Sequence, residues 1–142
     1  MAAGISNQPG TGQVGVFPRI KVLLVDENSR DLQHYAHILE QYGYEVRAFD
    51  SYTQGDRCLE GEPFDFVVVS QGSRAFEGRS LLEHAMMINR YLPVVVLTRS
   101  VEMECYLEAM QLGAVDYLEK PLPPAAIARV VGTHVRPRTV AD

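Results

Sequence analysis

Cysteine is scarce in this chain of 142 residues: only Cys58 and Cys105 are present, with no CxxC and no histidine at metal-ligand spacing. That scarcity excludes a disulfide framework and a cysteine-based metal site, and it fits reduced thiols in a cytosolic setting. Basic charge is also in deficit, with 13 Lys and Arg against 18 Asp and Glu, a net charge of -5 and a pI near 5.3. A domain that grips nucleic acid by releasing counterions needs a basic field, so direct nucleic-acid binding is not expected. Long apolar runs are missing. The opening MAAGISNQPGTGQVG has neither a basic n-region nor an apolar h-region, so no membrane association and no secretory signal are expected.

What is present is the composition of one globular domain, 46% hydrophobic and 22% charged, long enough to bury a core unaided. Residues 1–18, rich in Gly, Ala, Gln and Ser, read as a flexible leader, 19–133 as the domain, and 134–142 as a tail or linker. Apolar runs at Ile20–Val25, Glu45–Phe49, Phe66–Val69, Val94–Leu97 and Val115–Leu118 predict five strands. Runs such as VLLV and VVVL are continuous, as expected where helices cover both faces of a parallel sheet.

Helical spacing lies between the runs. Leu32, Tyr35, Ala36 and Leu39 recur on one face, with Asn28 or Ser29 as N-cap and Gly43 as a stop. Further helices are predicted over Ser51–Leu59, Ser80–Tyr91 and Val101–Leu112, the last ended by Gly113, and a final one begins at Pro123 or Pro124. Strict β-α alternation predicts an α/β fold, a doubly wound parallel sheet with right-handed crossovers. Functional groups in that class gather at the carboxyl ends of the strands.

Those ends carry Asp26 and Glu27 after the first strand, Ser70 after the third, Thr98 after the fourth, and Lys120 with Pro121 after the fifth. Each alone reads as a strand terminus in water. Together they place two carboxylates, two hydroxyls and an ammonium in one crevice, where all could exchange hydrogen bonds.

The segments KVLLVDEN, FDFVVVS, VVVLTRS and GAVDYLEKPL resemble the receiver domains of bacterial response regulators, the CheY-like family, over nearly the whole stretch from Arg19 to about Val131. The resemblance implies a five-stranded sheet of order 2-1-3-4-5 in a two-component phosphorelay protein that is not an enzyme. It makes Asp26 and Glu27 the acidic, magnesium-binding pair, Thr98 the switch hydroxyl, Tyr117 the switch aromatic and Lys120 the phosphate-contacting lysine, with a cis bond before Pro121. Implied partners are a histidine kinase or another signalling protein, a covalently linked output domain, and a second copy through the face of the fourth helix, fifth strand and fifth helix.

The chain departs from the family at the residue that accepts phosphate. Family members carry an aspartate there; counting back from Gly78, which matches the glycine after the family's loop, reaches Ser70 without a gap. Asp65 is the nearest other acid, five residues earlier, or roughly 16 Å along a strand, too far to substitute. A serine hydroxyl is a poor acceptor without a base, and magnesium loses an anionic ligand, so metal binding at Asp26 and Glu27 should be weak or absent. A degenerate receiver acting through protein contacts is therefore expected; docking to a histidine kinase without phosphotransfer is the second reading.

Arg99 stands where the family has a small residue. Its guanidinium is expected either to pair with Asp26 or Glu27 in the phosphate pocket or to extend into solvent. Arg74 replaces the proline of the family's Met-Pro pair.

Other motifs carry less. Gly10, Gly12 and Gly15 spell GxGxxG, but no strand precedes them. Ser70-Gln71-Gly72 is half of a hydrolase nucleophile elbow, which leaves a small serine hydrolase as a distant alternative; Val68 fills the first glycine position and His134 falls in the tail. His34, His37 and His84 lie on predicted helices without metal-ligand spacing. Met103, Tyr106 and Met110 recur at helical spacing and read as core or as part of a partner-binding face.

Overall fold

The computed structural model describes residues 19–135. The proposed leader, its GxGxxG motif and the segment 136–142 lie outside the described residues. Strands β1 (Lys21–Val25), β2 (Glu45–Phe49), β3 (Phe66–Ser70), β4 (Val94–Thr98) and β5 (Asp116–Glu119) alternate with helices α1 (Ser29–Gln41), α2 (Tyr52–Gly61), α3 (Arg79–Ile88), α4 (Met103–Leu112) and α5 (Pro124–His134). The sheet is parallel throughout, in the expected order β2-β1-β3-β4-β5.

Continuous apolar strands suit this sheet because each face is covered. Val22, Leu24, Val68, Val95 and Leu97 pack on Tyr35, Ile38 and Leu39 of α1 and on Ile127 and Val131 of α5. Alternate residues Leu23, Val25, Val67, Val69 and Val96 pack on α2, α3 and α4 through Leu59, Leu81, Leu82, Ala85, Cys105 and Ala109. Cys58 and Cys105 are both buried free thiols. No helix among the described residues is long and apolar enough to cross a membrane.

Asn28 is the cap of α1, its side chain accepting from the Asp31 amide at 3.0 Å. Gly43 follows the helix with φ +93°, a left-handed turn that glycine adopts without strain. Most strand and helix ends lie within two residues of the expected ones, and some differences matter for the surface. Helix α3 stops at Ile88, where Asn89 turns extended, so Tyr91 lies outside it and is exposed. Helix α4 starts at Met103, leaving Val101 in the exposed loop before it. Helix α5 includes His134, whose ring lies 6.4 Å from that of Phe66; the residue assigned to the tail belongs to the last helix.

Candidate functional site

The site is built at the carboxyl edge, where β1 and β3 are neighbours and the chain leaves the sheet on each strand. Asp26 follows β1 and is 1% exposed. One carboxylate oxygen accepts from the Lys120 ammonium at 2.7 Å and the other from the Asn28 amide at 3.0 Å. Lys120 arrives from the far edge of the sheet, after β5, through a cis bond to Pro121. Burial pushes the Asp26 carboxyl above its ordinary range, opposed by the Lys120 hydrogen bond and charge and by the Asn28 amide.

Lys120 has a second partner. Asp31, in the first turn of α1, accepts from it at 3.0 Å through one oxygen, while its other oxygen lies 2.5 Å from the Arg99 guanidinium. Arg99 therefore does not pair with Asp26 or Glu27: its side chain stays 60% exposed, with the guanidinium on Asp31. Asp31 was not legible as a site residue. Its signal was positional, since the first turn of the helix after β1 faces the same edge as Asp26.

Glu27 and Ser70 are joined through Tyr52, the first residue of α2. Its hydroxyl lies 3.0 Å from the Glu27 carboxylate and 2.9 Å from the Ser70 carbonyl oxygen. One proton serves two acceptors, so the hydroxyl donates to one at a time. Burial first, then the Glu27 charge, pushes the Tyr52 phenol well above its ordinary value. Ser70 is 3% exposed and ends β3, paired with Leu97. Its own hydroxyl accepts from the Gly72 amide at 3.4 Å. Gly78 packs against this turn: a Cβ there would collide with the Ser70 carbonyl oxygen.

Thr98 and Tyr117, which the resemblance casts as switch residues, are not joined to each other. Thr98, 1% exposed, spends its hydroxyl on its own loop, donating to the Ser100 carbonyl at 2.8 Å and accepting from the Ser100 amide at 3.1 Å. Tyr117, 8% exposed, points inward; its hydroxyl donates to Gln71 Oε1 and accepts from the Glu102 amide at 3.2 Å. In the sequence Gln71 carries no signal beyond its place in the Ser70-Gln71-Gly72 half-elbow.

Asp65 lies before β3, at the amino end of the strand that Ser70 ends, and accepts from the Lys21 amide at 2.8 Å. It is no substitute acceptor. Nor does Ser70 have the histidine that a hydrolase needs: His84 is held by Asp56 at 2.8 Å and His134 lies against Phe66.

A divalent cation does not fit the donors as they stand. A hard cation needs several anionic oxygens free to turn toward it. Asp26 has both oxygens engaged, Glu27 is bonded to Tyr52, and position 70 brings a hydroxyl. Among the described residues no cluster of three or more His, Cys, Asp or Glu is placed to hold a metal ion.

A doubly wound sheet of this order with a carboxyl-edge acid-lysine pocket defines a CheY-like signalling domain. Residues 22–131 match the family model described as the response regulator receiver domain, and the chain belongs to that family. It is 32% identical over 104 residues to the alginate biosynthesis transcriptional regulatory protein AlgB of Pseudomonas aeruginosa, a match covering 73% of this chain and 23% of that protein. The chain thus spans about a quarter of the length of that relative. Among solved structures, a CheY-like receiver domain protein from Methanospirillum hungatei superposes with a TM-score of 0.77 at 25% identity, covering 82% of this chain and 93% of that one. A response regulator from Burkholderia pseudomallei with a phosphorylated aspartic acid, calcium ion and citrate gives 0.72 at 25% identity, covering 79% and 66%. Receiver domains of this family are parts of two-component signalling proteins.

Proposed function

We propose that this receiver signals through protein contacts and does not accept a phosphoryl group at residue 70. The observation that carries the reading is the Ser70 hydroxyl at the exit of β3, where the pocket offers no carboxylate nucleophile. Phosphoryl acceptance from phosphohistidine needs an ionised oxygen and charge neutralisation around the incoming group. Here Asp26 and Asp31 already hold the Lys120 ammonium, and Asp31 holds Arg99.

The contact surface in this reading includes α4, which exposes Met103, Tyr106, Leu107 and Met110. Its partner is a histidine kinase or another signalling protein, an output domain on the same polypeptide, or a second copy through α4, β5 and α5. An output domain is supported by the length of AlgB, of which the chain covers only 23%. The chain has no catalytic role of its own.

The test is phosphoryl uptake from acetyl phosphate with magnesium, read by intact mass, on the wild type and on Ser70→Asp. No uptake by the wild type with uptake by the variant is expected. Uptake by the wild type would overturn the reading.

A further inference from the structure

Gln71 is 1% exposed, an uncommon setting for an amide side chain, and it stands immediately after the degenerate acceptor position. Both ends of the amide are bonded: Nε2 donates to the Ser73 carbonyl at 3.2 Å, and Oε1 accepts from the Tyr117 hydroxyl. Tyr117 in turn accepts from the amide of Glu102, the residue that caps α4. A helix leaves its first amides without internal partners, and α4 has no side-chain cap. The Tyr117 hydroxyl helps to fill that role.

The same hydroxyl thus donates to Gln71 and accepts from the start of α4. Moving Tyr117 outward would leave a buried amide oxygen without a donor and the part-buried Glu102 amide without its acceptor, an unfavourable outcome above all for the Gln71 oxygen. The arrangement reaches the surface at two points. Glu102 Oε1 lies 3.2 Å from Arg74, in the loop that Gln71 begins. The exposed Tyr106 of α4 packs edge-on to Tyr117 with ring centres 5.6 Å apart. Thr98 takes no part, because its hydroxyl is bonded to Ser100.

We infer that Gln71 is a positioning residue that holds Tyr117 inward without phosphate, fixing the start of α4 and the apolar surface that α4 presents. The inference rests on the reading that partners contact α4, but it concerns what sets that surface. Phosphoryl uptake tests whether residue 70 accepts phosphate, and it leaves the role of Gln71 untouched.

Amide hydrogen exchange at Glu102 and over the first turn of α4 is the direct test, run on the full chain as wild type, Gln71→Met, Tyr117→Phe and the double variant. Methionine keeps the length of glutamine and removes the acceptor; phenylalanine keeps the ring and removes the hydroxyl. Each single variant is expected to speed exchange of the Glu102 amide about tenfold, the factor equivalent to about 1.4 kcal/mol. The double variant is expected to go no further than Tyr117→Phe alone, since both changes break one chain of bonds. The tyrosine ring resonances should shift in Gln71→Met, which retains the hydroxyl. Unchanged exchange at Glu102 in either folded single variant would overturn the inference, as would additive effects in the double variant. If Gln71→Met fails to fold, Gln71→Leu, which also removes the acceptor, takes its place with the same expected and overturning outcomes.

Discussion

Asp31 and Lys120 are 89 residues apart in the chain and 3.0 Å apart in space. With Arg99 on its other oxygen, Asp31 is an internal anion set between the two cations that border the pocket. A dianionic donor approaching residue 70 would have to compete with a carboxylate that is already bonded. Installing the missing aspartate restores the acceptor but leaves this competitor in place. The double variant Ser70→Asp/Asp31→Asn is therefore expected to take up phosphate from acetyl phosphate about tenfold faster than Ser70→Asp alone, as about 1.4 kcal/mol of relieved repulsion would give. Time-resolved intact mass reads the two rates, and equal rates would remove Asp31 from this role.

Asp26 depends on Lys120 for most of what offsets its burial. Lys120→Met leaves a carboxylate 1% exposed with the Asn28 amide as its remaining hydrogen-bond donor. Urea unfolding at neutral pH should show a loss of about 3–5 kcal/mol. The pH dependence has a definite sign. Because the folded Asp26 carboxyl titrates above its unfolded value of 3.8, the unfolded chain releases this proton first. The contribution of the protonated form is fully present below the unfolded value and is lost as pH rises through the folded one. Lys120→Met should therefore regain part of its deficit on acidification from about pH 7 toward pH 5, and Lys120→Met/Asp26→Asn should not. A deficit that stays constant with pH would contradict this origin.

Tyr52 makes the opposite end of the pH scale informative. Its folded phenol titrates well above the ordinary value of 10.0, so the unfolded chain ionises first on alkalinisation and the stability it contributes falls as pH rises past that point. Tyr52→Phe removes this dependence while costing about 1 kcal/mol at neutral pH through the lost hydrogen bond. Unfolding curves followed by circular dichroism should converge for wild type and variant as the pH is raised above about 10. Parallel curves would show that the hydroxyl is not held as described.

Gly78 closes the turn that follows β3. Because a Cβ would strike the Ser70 carbonyl oxygen, Gly78→Ala has to displace backbone and not a flexible side chain. A loss of about 1–3 kcal/mol is expected. The shift should be visible in the amide resonances of Ser70 and Gln71; an unshifted spectrum would place the strain elsewhere.

The sheet was legible in the sequence because its signal is local. A run such as Val22–Val25 is apolar on both faces, and both faces proved to be buried. The acid pair, Ser70, Thr98 and Lys120 could be placed at one edge from topology alone, since parallel strands all deliver their carboxyl ends to the same side. Pairings within that edge were not legible. Arg99 turned to Asp31, and Gln71 to Tyr117, because those choices depend on side chains 68 and 46 residues away. Helix ends are not legible where apolar residues continue past the last hydrogen-bonded turn. Ile88 and Tyr91 extend the apolar pattern of α3, yet both are exposed.

The ion pair between Asp26 and Lys120 also bears on how the chain folds. It spans 94 residues and joins the ends of β1 and β5, which are not neighbours in the sheet. A link of such sequence separation forms only after the intervening strands have assembled, so its energy is absent from an early nucleus. Weakening it should leave the refolding rate nearly unchanged and quicken unfolding, the behaviour of a late contact with a φ-value near zero. The residue that shapes the pocket would then also act as a kinetic latch, setting the lifetime of the native state and not the speed with which it is reached.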